Sequence, residues 1–115
     1  GTGYPMNSAV ATPRLFGLPP FTYETLLGEL SRYPAIERAV VFGSRAMGTY
    51  RPGSDVDICL FGEAVGWELA LTVSGRLNEA LPIPYYFDVL VFADIKSPEL
   101  REHIIRHGRE LYRSS

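Results

Sequence analysis

The sequence has few of the features that mark secreted, membrane or general nucleic-acid-binding proteins. Its single cysteine, Cys59, excludes an internal disulfide and lies in an apolar run, which favours a buried, inert thiol in a reducing compartment. No apolar run approaches the roughly 20 residues that span a bilayer, and no signal peptide is recognisable, so we expect a cytoplasmic protein without membrane contact. The net charge of -2 provides no basic footprint, so general nucleic-acid binding is not expected.

The length and hydrophobic content predict one globular domain. At 115 residues, of which 46% are hydrophobic, the chain can bury one core. Residues 1–20 contain several prolines and are predicted to form an irregular lead-in, followed by a single domain over 21–115. Apolar spacing and turn residues predict strands at 39–42, 55–61, 85–92 and 109–112, and helices that begin near Thr22, Trp67 and Ser97.

Two of the predicted helices carry apolar stripes. The last helix is expected to bury Leu100, Ile104 and Ile105. It also carries His103 and His107 one turn apart, a spacing that can bind zinc, but no third ligand is evident and a zinc site is not favoured. The helix over 67–81 places a longer set roughly on one face, namely Trp67, Leu71, Ser74, Leu77 and Leu81.

Two acidic residues alternate with apolar residues in the predicted strand over 55–61. Residues two apart in a strand point to the same face, so Asp55 and Asp57 are predicted to project one way and Val56 and Ile58 the other. Adjacent like charges repel unless a cation lies between them or one group takes a proton. The pair therefore indicates a site for a hard divalent cation and, through it, a phosphate.

A third acid, Asp88, lies near the middle of the predicted strand over 85–92, although aspartate is uncommon within strands. If the two strands are neighbours, Asp88 joins Asp55 and Asp57 on one face. The three carboxylates then form an oxygen site suited to Mg²⁺. With two metal ions, one would activate an attacking hydroxyl and the other would steady a leaving pyrophosphate.

A Gly-Ser turn follows the first predicted strand and precedes Asp55 by ten intervening residues. Gly43 allows a ligand to approach the backbone, and Ser44 offers a hydroxyl and an N–H at a predicted helix start, which favours an anion. Arg45 could reach the same phosphates or pair with a carboxylate.

Taken singly, a Gly-Ser pair is a weak signal that many turns share, Arg45 is by default a solvated surface residue, and Asp55 is better explained as a turn residue. Asp57 and Asp88 are each as easily explained as satisfied buried acids as they are as ligands. The specific feature is their combination and spacing.

This combination resembles the minimal nucleotidyltransferases (MNT) of the DNA polymerase beta superfamily. The resemblance runs from about Leu26 to Tyr112 and implies an α+β fold, a small mixed β-sheet with helices packed on one face. Met47 departs from the family pattern, because many members carry a charged residue there. The matching segments are Gly43-Ser44-Arg45-Ala46-x-Gly48, Ser54-Asp55-Val56-Asp57 and Phe87-Asp88-Val89.

The resemblance also implies roles for the matching residues. Two Mg²⁺ ions would be held by the acids Asp55, Asp57 and Asp88, with Asp88 acting as the base for the incoming hydroxyl. The implied reaction moves a nucleoside monophosphate, with ATP as the expected donor, onto a hydroxyl and releases pyrophosphate. The implied nucleotide-binding residues are Gly43, Ser44, Arg45 and Ser54.

Many such small proteins look like antitoxins paired with an all-helical HEPN-type ribonuclease toxin. The resemblance therefore implies either AMP transfer to a toxin tyrosine or simple masking of the toxin. A partner is also expected from the residues, since the predicted carboxylate face carries Phe61, Leu90 and Phe92, and exposed apolar surface marks interfaces. A small-molecule transferase of the aminoglycoside-modifying type usually needs a further domain, and template-driven polymerisation is least favoured. Both homo- and hetero-oligomers remain open.

Overall fold

The computed structural model describes residues 16–114 and contains a four-stranded sheet with helices on both faces. None of the helices in this range has the length and apolar character needed to traverse a lipid bilayer. In chain order the elements are α1 (Pro20–Leu30), β1 (Arg38–Phe42), α2 (Ser44–Met47), β2 (Val56–Phe61), α3 (Trp67–Gly75), a π-helical turn (Arg76–Ala80), β3 (Phe87–Val91), a 3-10 turn (Phe92–Asp94), α4 (Pro98–His107) and β4 (Arg109–Arg113).

The strands lie in the order β3-β2-β1-β4. Strand β1 is antiparallel to both of its neighbours, whereas β2 and β3 run parallel. The parallel pairing requires a crossover connection, which α3 and the π-helical turn provide. The predicted α+β class with a small mixed sheet is confirmed, and the four predicted strands are present with small shifts at their ends.

Alternate residues of each strand face opposite sides of the sheet, as the sequence pattern predicts. On one side, Val56 and Ile58 of β2 pack in the main hydrophobic core together with apolar residues of α1 and α3. On the other side, Val40 and Cys59 pack with Ile104 of α4 in a smaller cluster. The expectation of helices on one face therefore holds for α1 and α3, but α4 covers the opposite face because apolar strand residues there also need cover.

The main core extends into the segment that the sequence assigns to an irregular lead-in. Phe16 and Leu18 are buried, so the packed domain includes residues that precede the predicted boundary at residue 21. Helix α1 begins at Pro20, before Thr22, because proline fits the first turn of a helix, where its missing N–H has no partner to lose. Residues 1–15 of the predicted lead-in lie outside the described residues.

The face of α3 that packs on the sheet is offset from the stripe on which the sequence places Trp67 and Leu71. Ala70 is buried, whereas Trp67 and Leu71 are each 66% exposed. In α4, Ile104 is buried as predicted, but Ile105 is 69% exposed, so its predicted burial is wrong. Adjacent helical residues lie about 100° apart, so apolar residues on two sides of a helix leave its rotation undetermined from sequence.

Candidate active site

The parallel pairing of β2 with β3 brings two acidic residues together. Asp57 and Asp88 are paired in register on these strands, and neighbouring strands lie about 4.8 Å apart. Asp55 immediately precedes β2 and lies at the same end of that strand. Asp57 is half-buried, whereas Asp55 and Asp88 are exposed. The structure thus gathers the three acids that the sequence singles out.

The Asp57 carboxyl is affected by the charges of the other two acids. Burial raises its pKa, and the negative charges of Asp88 and Asp55 raise the pKa further. The two charge effects require Asp55 and Asp88 to lie close to Asp57. Carboxylates that repel one another in this way favour a bound cation, because the cation relieves the repulsion.

The three acids are not arranged as a complete metal site. Within residues 16–114, no group of three or more His, Cys, Asp or Glu side chains is placed so that it could hold a metal ion by itself. Magnesium suits an incomplete site, because it keeps several waters and is commonly bound by one or two carboxylates together with phosphate oxygens of a substrate. The residues present therefore fit a magnesium ion that binds with a triphosphate, rather than a metal held by the protein alone.

Gly43 lies directly against the Asp57 carboxylate. Its backbone has φ 75° and ψ -152°, a conformation that residues with side chains rarely adopt. A Cβ atom at this position would collide with Oδ2 of Asp57. The contact is set by the pairing of β1 with β2, which places Phe42 opposite Asp57. Glycine is therefore required for the turn and the acid to approach each other.

The turn after β1 leads into the short helix α2, as the sequence predicts. Ser44 is the first residue of α2 and is half-buried next to Gly43. The helix ends at Gly48, which has φ 81° and closes the turn by donating its N–H to the Ser44 carbonyl. A serine hydroxyl and main-chain N–H groups therefore lie at the end of β1, beside the acid on β2.

The contacts of Arg45 fit neither of the roles expected from the sequence, a phosphate contact or a carboxylate pair. Arg45 is 3% exposed, and its Nε and Nη2 donate to the Ser54 carbonyl at 3.1 and 2.9 Å. Its Nη1 donates to the Phe16 carbonyl at 2.9 Å, and the guanidinium lies over the rings of Tyr50 and Tyr85. Arg45 therefore ties the loop before Asp55 to the body of the domain.

Ser54 likewise shapes this loop. Its hydroxyl oxygen accepts the Arg51 N–H at 2.8 Å, and its own N–H donates to the Arg51 carbonyl at 2.9 Å. Together with the bond from Arg45 to the Ser54 carbonyl, these contacts fix the backbone immediately before Asp55. The nucleotide-binding role implied for Ser54 stays a prediction.

Two residues outside the predicted site support it. The Asn78 amide pairs with the main chain of Phe87, donating to its carbonyl at 2.9 Å and accepting its N–H at 2.7 Å, and so holds the residue before Asp88. His103 of α4 accepts the Gly43 N–H on Nε2 at 3.2 Å. The sequence gives little sign of either contact, because each joins a side chain to a backbone group on a different element.

An apolar groove lies along β3, between that strand and α3. Its volume is about 590 Å³, and it runs from Val89 and Leu90, which follow Asp88, towards the exposed Trp67 and Leu71 of α3. Phe61 and Phe92, also expected on this face, are stacked on each other with their ring centroids 4.7 Å apart and are only half-buried. Accessible apolar surface is therefore present along β3 from the residue after Asp88, but none of the three acids lines the groove.

Comparison with known proteins places these features in a family. Residues 24–115 match the family model described as "Polymerase beta, Nucleotidyltransferase". A search of curated protein sequences finds no significant match. The fold is similar to a chain in a crystal structure of a toxin-antitoxin with AMP-PNP, with 21% identity and a TM-score of 0.62 over 85% of this chain and 76% of that chain.

Two further solved structures share the fold. One is a tri-AMPylated Shewanella oneidensis HEPN toxin in complex with an MNT antitoxin, with 17% identity and a TM-score of 0.60 over 82% of this chain and 71% of the matched chain. The other is a putative nucleotidyltransferase from Sulfolobus solfataricus, with 19% identity and a TM-score of 0.53 over 98% of this chain and 93% of the other.

The fold and the family match define a nucleotidyltransferase domain. The match covers most of the chain, including the Gly43 turn and all three acids. The chain belongs to the polymerase beta nucleotidyltransferase family. The minimal nucleotidyltransferases that the sequence resembles are members of the same superfamily.

Proposed function

We propose that this protein is an MNT antitoxin that transfers AMP from ATP to a hydroxyl of a HEPN-type toxin. The observation that carries the proposal is the pairing of Asp57 with Asp88 on adjacent strands, with Gly43 against the Asp57 carboxylate. The similar solved structures support this choice of donor and acceptor, since they include a toxin-antitoxin with AMP-PNP and a tri-AMPylated HEPN toxin with its MNT antitoxin. The acceptor hydroxyl we expect is a tyrosine of the toxin.

The residues divide into an anion-binding half and a carboxylate half. Main-chain N–H groups and the Ser44 hydroxyl at the Gly43 turn hold the triphosphate. Asp88 is exposed, whereas Asp57, its partner on β2, is half-buried. Asp88 therefore accepts the proton of the acceptor hydroxyl. The hydroxyl oxygen then forms a bond to the α-phosphorus, and the bond from that phosphorus to the oxygen bridging to the β-phosphate breaks. The products are AMP-modified toxin and pyrophosphate.

Asp55, Asp57 and Asp88 would hold Mg²⁺, with two ions expected. When bound, magnesium would supply positive charge that stabilises the attacking and leaving oxygens. Asp57 contributes through its half-buried position between the turn and β3, where the absence of a side chain at Gly43 leaves room for its carboxylate. Asn78 contributes indirectly by fixing the backbone of Phe87, the residue before Asp88.

The test is transfer of label from ATP to the toxin. The purified chain is mixed with α-labelled ATP, Mg²⁺ and a HEPN-type toxin protein, and mass spectrometry locates the modified residue. We expect label on a toxin tyrosine with the wild type and with Glu24→Gln, which removes an exposed acid on α1 away from the apolar groove, and no label with Asp88→Asn.

Two results would point to other functions. A stable toxin complex that carries no label would assign the chain to masking, a function that the apolar groove along β3 would also serve. Labelling of a small hydroxylated compound such as an aminoglycoside, without labelling of the toxin, would indicate a small-molecule transferase.

A further inference from the structure

We propose that His103 is a positioning residue that holds the Gly43–Ser44 turn in the conformation needed to bind the triphosphate. The proposal rests on the function proposed above and extends it to a residue of α4 that the family motifs do not include. The carrying observation is the hydrogen bond from the Gly43 N–H to His103 Nε2, 3.2 Å long and formed across 60 positions of sequence.

The His103 ring is fixed by its neighbours. It meets the Phe42 ring edge-on at a centroid distance of 6.3 Å, and the His107 ring lies 5.3 Å away on the next turn of α4. Helix α4 is anchored in turn by the buried Ile104, which packs against the sheet. The acceptor nitrogen is therefore held by a packed ring on a rigid element, which is a condition for precise positioning.

The hydrogen bond acts on both halves of the site. Gly43 has a backbone conformation that residues with side chains rarely adopt, and its α-carbon faces the Asp57 carboxylate. Fixing the Gly43 N–H therefore sets the approach of the turn to Asp57 as well as the direction of Ser44. Because the Gly43 N–H is the donor, His103 Nε2 carries no proton, and the neutral ring has its proton on Nδ1.

Three variants separate the acceptor from the ring. His103→Phe keeps an aromatic ring against Phe42 but has no acceptor, whereas His103→Gln can place an amide oxygen near the position of Nε2. His107→Phe makes the same change one turn further along α4, at an exposed position, and keeps an aromatic ring beside His103, so the packing of the His103 ring is retained. Thermal unfolding of each variant shows whether the domain remains folded.

We expect His103→Phe to raise the KM for ATP roughly fivefold with a smaller change in kcat, since one neutral hydrogen bond is lost. We expect His103→Gln and His107→Phe to stay within about twofold of the wild type. An unchanged KM in a folded His103→Phe variant would overturn the proposal. So would a His103→Gln variant as impaired as His103→Phe, because the acceptor would then not matter.

A second readout does not depend on transfer. Nitrogen NMR of the free protein is expected to show His103 as the Nδ1–H tautomer, and a shift of the Gly43 amide resonance in His103→Phe but not in His107→Phe. The opposite tautomer, or an unmoved Gly43 resonance, would contradict the proposal. A wild type that neither binds nor uses ATP would instead refute the proposed function, and the NMR result would still decide whether the hydrogen bond exists.

Discussion

Replacing Gly43 by alanine should slow transfer severely while leaving a folded domain. The new Cβ would collide with Asp57 Oδ2, so the carboxylate or the turn must move by roughly 1 Å, a displacement that can cost about 100-fold in rate. The backbone at φ 75° and ψ -152° adds strain of about 1–3 kcal/mol for a residue with a side chain. We therefore expect a transfer rate at least about 100-fold lower and a Tm lowered by roughly 5–10 °C.

Gly48→Ala is the matched control for this substitution. Gly48 also has a left-handed backbone, with φ 81°, but a Cβ there would meet no atom within 4 Å. Strain alone should lower its Tm by roughly 5 °C and leave transfer within a few-fold of the wild type. Rates are measured with labelled ATP and toxin, and Tm by calorimetry. If Gly43→Ala were as active as Gly48→Ala, the contact between the turn and Asp57 would have no role in the reaction.

Three further substitutions test the electrostatics and the loop. Asp57→Asn should raise the Tm at pH 7, because folding raises the pKa of Asp57 and the ionised carboxylate therefore destabilises the folded state. The gain in Tm should vanish as the pH falls below about 4, where Asp57 is protonated in both the folded and the unfolded state. Glu29 should show the opposite sign, because its hydrogen bonds, above all those with Arg76, lower its pKa to about 2. Glu29→Gln should lower the free energy of unfolding, measured in urea at pH 7, by about 3 kcal/mol, and the difference from wild type should shrink between about pH 5 and pH 2. Arg45→Lys should lower the Tm by several degrees with little change in the KM for ATP, because its guanidinium binds the Ser54 carbonyl rather than a phosphate; a large rise in KM at an unchanged Tm would contradict this.

Local patterns in the sequence were enough to predict the strands and the shared face of Asp55 and Asp57, but not the order of the strands in the sheet. Alternation in 55–61 places Asp57 on the face opposite Val56, and the structure has this arrangement. The grouping of Asp88 with Asp55 and Asp57 also requires β2 and β3 to be neighbours, and the sequence pattern does not determine which strands are adjacent. Burial of Cys59 was predicted on the same grounds and is confirmed, and burial raises the pKa of its thiol to about 12.

The features that could not be predicted depend on contacts between distant segments. Arg45 is charged and follows a Gly-Ser turn, so the sequence favours an exposed or ligand-facing side chain. In the structure Arg45 is buried, and its guanidinium donates three hydrogen bonds to main-chain carbonyls. His103 was considered only as half of a zinc pair, since nothing local indicates that its acceptor nitrogen meets the Gly43 N–H. The rotation of α3, which exposes Trp67, is set by packing on the sheet rather than by periodicity.

The central claim is that the acids beside the Gly43 turn hold a nucleotide through magnesium. The most direct measurement is calorimetric titration of the protein with the non-hydrolysable analogue AMP-PNP, with and without Mg²⁺, for the wild type, Asp57→Asn and Asp94→Asn. We expect Mg²⁺ to tighten binding at least about tenfold in the wild type and in Asp94→Asn, and to have no effect in Asp57→Asn. Binding that ignores both Mg²⁺ and the Asp57→Asn substitution would contradict the claim.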